Sequence, residues 1–245
     1  MMRPVFFSDL DDTVFQTARK MSDIPHADRL ASEALNGSHS YMSGPQAVMM
    51  DWLLGSTRFI PVTARSTEAL ARCKIPFRDF QICSNGAVIL RSDRSPDPDW
   101  HLAMKEQADQ VAGEMKSLIS FMATQTVPGR FRYWTVQETG VDFYFCVKSN
   151  EGESALDEVD ALLEGIACPK LLRHRNGNNL SFTPAGISKR IAVSYLLDKL
   201  LDVNDVPVFG MGDSLTDMPF MEMCDMMVIP RNSQIHQVLL SADAQ

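Results

Sequence analysis

A short apolar run, Val5-Phe6-Phe7, ends directly on Ser8-Asp9-Leu10-Asp11-Asp12-Thr13. A run of this length, closed by polar turn residues, reads as a buried strand. Asp9 and Asp11 then stand at or just past its C-terminal end. In an open parallel α/β sheet that edge is where ligands bind. Two carboxylates this close repel each other unless a cation sits between them. The plainer reading of the same residues is a strand followed by an acidic turn, because Asp is a common turn former.

The remainder of the chain supplies strands and helices in alternation. A long connection runs from Val14 to Pro45. Within it Asn36-Gly37 separates residues 30–35 from 38–42, a hairpin signal. A helix over 27–35 stopped by Gly37 fits the same stretch equally. Residues 46–54 read as a helix and 59–63 as a second strand, with Pro61 an irregularity. Residues 67–73 read as a helix and 80–83 as a third strand that closes on Ser84-Asn85-Gly86.

From about Arg91 the texture changes. Residues 92–99 are rich in Asp, Ser and Pro and mark a loop and a domain boundary. Residues 101–124 carry Val111, Met115, Leu118, Ile119 and Met122 at helical spacing. Residues 131–136 and 141–147 form a hairpin joined by 137–140, residues 154–163 a helix, and 170–175 with 179–182 a second hairpin. That order predicts an α+β module with an antiparallel sheet. Strand–helix alternation then returns: a helix over 188–201, a strand over 206–210, a short helix over 219–223, a strand over 226–229 and a last helix over 234–240.

The formal net charge is −8 with a pI near 5.1, and no basic stripe marks a nucleic-acid partner. The cysteines (Cys73, Cys83, Cys146, Cys168, Cys224) are scattered with no C-x-x-C pair, so neither a zinc site nor a disulfide framework is expected. The N-terminal residues do not read as a secretory signal, so none is expected, and no apolar run approaches about 20 residues. A soluble, cytoplasmic protein with reduced thiols and no membrane partner is expected. No pattern specifies an oligomer.

The polar residues at expected strand ends form one set. Asp9 and Asp11 follow the first strand, Thr63 and Arg65 the second, Asn85 the third, and Asp213 and Asp217 the fourth; Lys189 begins a helix. Three or four carboxylates around one point call for a hard cation such as Mg2+, which takes oxygen ligands and is usually shared with phosphate. No His or Cys accompanies them, which disfavours softer metals. A lysine and a threonine beside them suit phosphate oxygens, and the whole suits phosphoryl transfer. A carboxylate can serve as the nucleophile, and a second can protonate the leaving oxygen and then activate water. Neither G-x-x-x-x-G-K-[ST] nor G-x-G-x-x-G occurs, so a P-loop or dinucleotide site is unsupported.

These motifs resemble the haloacid dehalogenase superfamily of aspartate-nucleophile phosphohydrolases. Asp9-Leu10-Asp11-Asp12-Thr13 matches its D-x-D-x-T, and Thr63-Ala64-Arg65 resembles T-G-R. Lys189 matches the lone lysine, and Gly212-Asp213-Ser214-Leu215-Thr216-Asp217 matches G-D-x-x-x-D. The four occur in order and frame residues 3–230. Ser84-Asn85-Gly86-Ala87 and Gly186-Ile187-Ser188-Lys189 resemble the borders of the large α+β cap in the Cof-type and sucrose-phosphatase-like branch.

The resemblance implies an α/β fold: a Rossmann-like parallel sheet core over 1–88 and 184–245, with an inserted α+β cap over 89–183. It implies Asp9 as nucleophile and metal ligand, and Asp11 as general acid/base with its backbone carbonyl on Mg2+. Asp213 would be a direct ligand and Asp217 a supporting one. Thr63, Lys189 and the backbone at Leu10 and Ala64 would hold the phosphoryl group, and Thr13 would support the loop. Arg65 would contact substrate or pair with the acidic loop, and Asn85 would contact substrate. In the cap, strand alternation puts Arg173 and Arg175 on one face and His174 on the other; these, with Arg132, Trp134, Asn178 and Asn179, are candidates for substrate contact, and a solvated sheet face explains them equally.

Thr216 stands where this branch often has Asn, Ala64 where it has Gly, and the segment 14–45 is longer than expected. The implied activity is Mg2+-dependent hydrolysis of a small phosphorylated metabolite, most simply a sugar phosphate. A phosphomutase and a low-turnover regulatory module are the alternatives.

Overall fold

The computed structural model describes residues 3–23 and 25–242. By its internal contacts the chain divides into two compact units, Met1–Asp97 with Ser188–Gln245, and Pro98–Ile187.

In chain order the first unit begins with β1 (Val5–Ser8), β2 (Gln16–Thr17), β3 (Leu30–Ser32), β4 (Ser40–Tyr41) and α1 (Gly44–Ser56). β5 (Arg58–Pro61), α2 (Thr67–Ala71), β6 (Gln81–Cys83) and β7 (Val88–Leu90) follow. The second unit holds α3 (Pro98–Gln125), β8 (Phe131–Glu138), β9 (Val141–Ser149), α4 (Leu156–Glu164), β10 (Leu171–Asn176) and β11 (Asn179–Pro184). The chain then completes the first unit with α5 (Lys189–Tyr195), β12 (Val208–Met211), α6 (Met218–Met221), β13 (Met226–Val228) and α7 (Gln234–Ala242).

The main sheet of the first unit is parallel, in the order β13-β12-β1-β5. A parallel bridge, Val62 with Ile82, carries it on to β6. β1 therefore has a neighbour from each half of the unit, the switch in strand order that opens a crevice beyond the strand ends. The register is level there: Ser8 pairs with both Met211 and Pro61. Pro61 is tolerated because it closes its strand; Val62 supplies the N–H that bonds the Ser8 carbonyl at 2.7 Å. One face of the sheet is tied by stacked rings that the register aligns, Phe6 on Phe209 at 5.5 Å and on Phe59 at 6.1 Å.

The segment after β1 adopts the hairpin reading. β3 and β4 pair antiparallel and β2 adds to β4. Gly37 takes φ +77° between β3 and β4. Within 27–35 only Ala27–Arg29 coils, as one 3₁₀ turn. A helix loses because the backbone of this stretch bonds sideways: Lys74 N–H to Ala31 O at 2.8 Å and Glu33 N–H to Arg72 O at 3.3 Å. α1 starts on a capping box of Ser43 and Gln46. The expected helix over 188–201 gives way to a π-helical turn at Leu196–Leu200.

The second unit packs α3 and α4 on one face of an antiparallel sheet ordered β10-β11-β9-β8. Val111, Met115, Leu118 and Met122 of α3 meet Val159 and Leu163 of α4 and Phe145, Val147, Leu180 and Phe182 of the sheet. The first hairpin turn is tighter than the sequence pattern indicated, two residues with Thr139 at φ +50° and Gly140 at φ +81°.

Asp97, the last residue before the insertion, is 1% exposed. It accepts from Arg91 at 2.8 Å and from the Tyr195 hydroxyl at 3.1 Å.

Candidate active site

Four loops leave the level edge of the parallel sheet, and each brings one part of the expected set. Directly after β1, Asp9 N–H bonds Met211 O at 2.9 Å. The Leu10 carbonyl then receives the N–H of Val14 at 2.9 Å. This tight turn holds the buried Asp9 carboxylate inward. Asp12 takes φ +62° at its bend, a conformation that Asp tolerates better than most residues.

Lys189 lies at the first turn of α5, capped by Ser188. Its Nζ sits 2.6 Å from Asp9 Oδ1 and 2.6 Å from Asp217 Oδ1. Burial works to lower its pKa, but the two carboxylates outweigh burial and raise it, so the ammonium is fixed as a charge. Asp217 is fully buried; its other oxygen accepts from Ser214 N at 3.1 Å and Ser214 Oγ at 2.7 Å. Gly212 makes this turn possible: a Cβ there would lie 2.4 Å from Asp217 Cβ. The Thr13 hydroxyl stands between the two acidic loops, 3.1 Å from Asp213 Oδ1 and 3.4 Å from Asp9 Oδ2.

Carboxylate oxygens of Asp9, Asp213 and Asp217 lie within 4.8 Å of one another. With one lysine among them the group carries a net charge of about −2, three carboxylates less one ammonium. The excess is felt: burial raises Asp9 to about 7, with Lys189 pulling it down and Asp217 pushing it up. Burial and Asp217 raise Asp213 to about 6. An all-oxygen donor set with two negative charges to neutralise fits a divalent hard cation such as Mg2+. The Asp11 side chain is outside this group. It is half exposed and held by both oxygens on Arg65, Nε and Nη2 each at 2.7 Å.

Arg65 is a junction. Besides Asp11 it donates to Ser32 Oγ in β3 at 2.6 Å and lies 4.8 Å above the Phe15 ring. Thr63 is buried; its Oγ1 accepts the Arg65 N–H at 3.1 Å, while Ala64 is exposed. The Asn85 N–H bonds Thr63 O at 3.0 Å and the Ser84 N–H bonds Arg65 O at 2.8 Å. Thr216 donates to or accepts from Ser214 Oγ at 2.7 Å.

The cap candidates divide. Arg173 and Arg175 turn to α4, where Arg173 pairs with Asp160 and Glu164, and Arg175 with Asp157 and Asp160. Asn178 clamps Ser149, accepting from its N–H at 3.0 Å and donating to its carbonyl at 2.8 Å.

Sequence reasoning missed Ser214, Ser32, Phe15 and Gln46, whose Nε2 bonds Thr13 O at 3.2 Å. Ser214 was within reach, being the small polar residue after Asp213 in a tight turn. The others come from distant segments and leave no local trace.

Gly86 is the tightest point. At φ +100°, a Cβ would meet the Ser188 carbonyl oxygen at 2.3 Å, one residue from Lys189. Gly86→Ala is expected to destabilise the fold by about 1–3 kcal/mol from backbone strain alone. It should also displace α5, so thermal melting and phosphate release should fall together. An unchanged melting temperature would contradict the close approach.

A family model described as sucrose-6F-phosphate phosphohydrolase matches residues 2–244. The sucrose-phosphatase of Synechocystis sp. PCC6803, in complex with sucrose and phosphate, aligns with TM-score 0.57 at 16% identity, covering 99% of this chain and 88% of that one. The C-terminal domain of C. albicans trehalose-6-phosphate phosphatase aligns with TM-score 0.57 at 13% identity, over 90% and 73%. A trehalose-6-phosphate phosphatase related protein aligns with TM-score 0.54 at 13% identity, over 98% and 100%. At these identities the structural likeness is one of fold. A comparison with curated protein sequences found no match.

Proposed function

We propose, for a chain that belongs to the sucrose-6F-phosphate phosphohydrolase family of haloacid dehalogenase-type phosphatases, that Asp9 is the nucleophile of a Mg2+-dependent sugar-phosphate hydrolysis. The observation that carries the reading is the buried cluster of Asp9, Asp213, Asp217 and Lys189. Asp9, Asp213 and Asp217, with the Asp11 backbone carbonyl, would hold the cation. When bound, the cation neutralises charge on the phosphoryl oxygens and on the facing carboxylates.

The steps follow from this chain's own groups. An Asp9 carboxylate oxygen attacks phosphorus as the bond from phosphorus to the sugar oxygen breaks. Asp11 gives its proton to that leaving oxygen. Water then attacks the phospho-Asp9 phosphorus, Asp11 takes a proton from it, and the Asp9–phosphorus bond breaks to free phosphate. Lys189 and Thr63, with the backbone at Leu10 and Ala64, steady the phosphoryl oxygens. Lys189 also draws the Asp9 pKa down against the larger upward pull of burial. Asp11 must leave Arg65 to do its part, a rearrangement compatible with a half-exposed side chain, since catalytic contacts often tighten only with substrate bound.

Phosphate release from a panel of sugar phosphates tests this. With Mg2+ present, turnover is expected; an excess of EDTA should remove it and added Mg2+ should restore it. Turnover that persists in EDTA would defeat the metal assignment.

A further inference from the structure

In the pair formed by Arg65 and Asp11, the arginine is fixed and the carboxylate is free to move. The Arg65 backbone is held on both sides: its N–H donates to Thr63 Oγ1 at 3.1 Å and its carbonyl accepts the Ser84 N–H at 2.8 Å. Its guanidinium is held by segment 14–45 and the strand-like stretch beside it. Nη1 donates to Ser32 Oγ at 2.6 Å and lies 3.9 Å from Cys73 Sγ, and the Phe15 ring stands 4.8 Å from Cζ. Ser32 and Cys73 are themselves joined by an antiparallel bridge. The Arg65 side chain is 17% exposed and the Asp11 side chain 48%. When this pair opens, Asp11 is the partner that leaves.

Its departure strips two donors of their acceptors. Nε and Nη2 each stand 2.7 Å from an Asp11 oxygen. A mostly buried charge that loses its partner keeps its desolvation penalty. Asp11 must nonetheless leave Arg65 to reach the leaving oxygen. The opening is therefore unfavourable unless another acceptor takes the two donors as Asp11 goes. A phosphate suits them, because arginine binds carboxylate and phosphate in the same two-pronged way. The chain also brings the two close. Thr63 and Ala64, which would hold phosphoryl oxygens, directly precede Arg65. Burial works to lower the Arg65 pKa, but Asp11, with smaller pulls from Cys73 and Asp9, raises it. The Asp9 carboxylate is thus within electrostatic reach of the guanidinium.

We propose that Asp11 at rest occupies, on Arg65, the place of two substrate phosphate oxygens, and that the arriving phosphate displaces it. The proposal rests on the phosphatase reading and adds a device to it. One binding event does two things: the phosphate gains Nε and Nη2 of Arg65, and Asp11 is released towards the leaving oxygen only when an ester is present to receive its proton. Segment 14–45 has a part in this. Ser32 and Phe15 hold the guanidinium still, so the exchange takes place on its Asp11 side.

Calorimetric titration with inorganic phosphate, in the presence of Mg2+, tests the exchange without turnover. Asp11→Asn frees the Arg65 donors and should tighten phosphate about tenfold. Removing any nearby carboxylate also favours an anion, so the same substitution is measured on an Arg65→Met background. Fixed charges act pairwise, and without an exchange the two gains would be equal. With the exchange, the gain in the presence of Arg65 should exceed the gain on Arg65→Met by about threefold or more. A smaller excess, or no gain with Arg65 in place, would overturn the proposal. If Arg65→Met does not fold, Arg65→Lys takes its place under the same threshold, because it keeps the charge and loses the paired donors. A protein that shows the full excess yet releases phosphate from no sugar phosphate would overturn the phosphatase reading and leave the exchange standing.

Discussion

Asp9→Asn should lower phosphate release by about 10⁴-fold or more, the scale of losing a covalent nucleophile, and should stabilise the metal-free protein. The two effects have one origin. Asp9 is buried beside Asp217, with one oxygen on Lys189, and its pKa rises from 3.8 to about 7, burial being the largest cause. A carboxyl raised in this way binds protons more tightly folded than unfolded. Its stabilising contribution is full below pH 3.8 and is lost as pH climbs to about 7. The substituted amide has nothing to titrate and leaves the cluster with two carboxylates and one ammonium. In EDTA, wild type should therefore lose melting temperature between about pH 4 and pH 7 more steeply than the variant. Asp213, raised to about 6, leaves some of that slope in both. At neutral pH the gap should be about 2–4 °C for each kcal/mol relieved. Calorimetry at pH 5 and pH 7.5 reads it. Retained turnover would remove the nucleophile, and a pH-independent gap would remove the electrostatic account.

Lys189→Met should also abolish turnover, with the opposite sign in stability. The methionine keeps the apolar stem against Phe220, whose ring lies 5.9 Å from Nζ, and deletes only the charge. Three carboxylates then remain with no internal cation. Removing one partner of a buried ion pair costs about 3–5 kcal/mol, which at about 2–4 °C per kcal/mol lowers the melting temperature by roughly 6–20 °C. Millimolar Mg2+ should recover more stability in this variant than in wild type, because the cation has more charge to neutralise. Equal melting temperatures with and without the lysine charge would contradict the buried cluster. The two variants together separate activity from stability: both are inactive, one firmer and one weaker than wild type.

Much of this site was legible because its chemistry sits where strands end. Val5-Phe6-Phe7 declares a buried strand, and Asp9 can stand nowhere but at its edge. The glycine and two aspartates of 212–217 declare a second turn at the same edge. Lys189 is legible as a lysine at a helix start that suits phosphate oxygens, and the resemblance singles it out from its neighbours. The contacts of Arg65 were open between substrate and acidic loop; the structure gives it Asp11, Ser32 and Phe15, a junction set by three segments far apart in sequence. The hairpin at Asn36-Gly37 was undecided against a helix because local pattern favours both, and hydrogen bonds to residues 72–74 decide it. In the second unit, alternation separates Arg173 and Arg175 from His174 but does not say which side the helices cover. That choice belongs to α4, whose acidic residues neutralise the two arginines.

The order of the strands bears on how the chain is made. β1 lies between β5 and β12, and Val5 pairs with Val208, so one edge of the first strand waits for a partner synthesised about 200 residues later. At about 5–20 residues per second that wait is about 10–40 s on the ribosome. The inserted unit is one continuous stretch, Pro98–Ile187, and can complete its own sheet in that interval. The nascent Val5-Phe6-Phe7 edge is meanwhile an apolar strand edge without its β12 partner, the kind of edge that pairs with other chains.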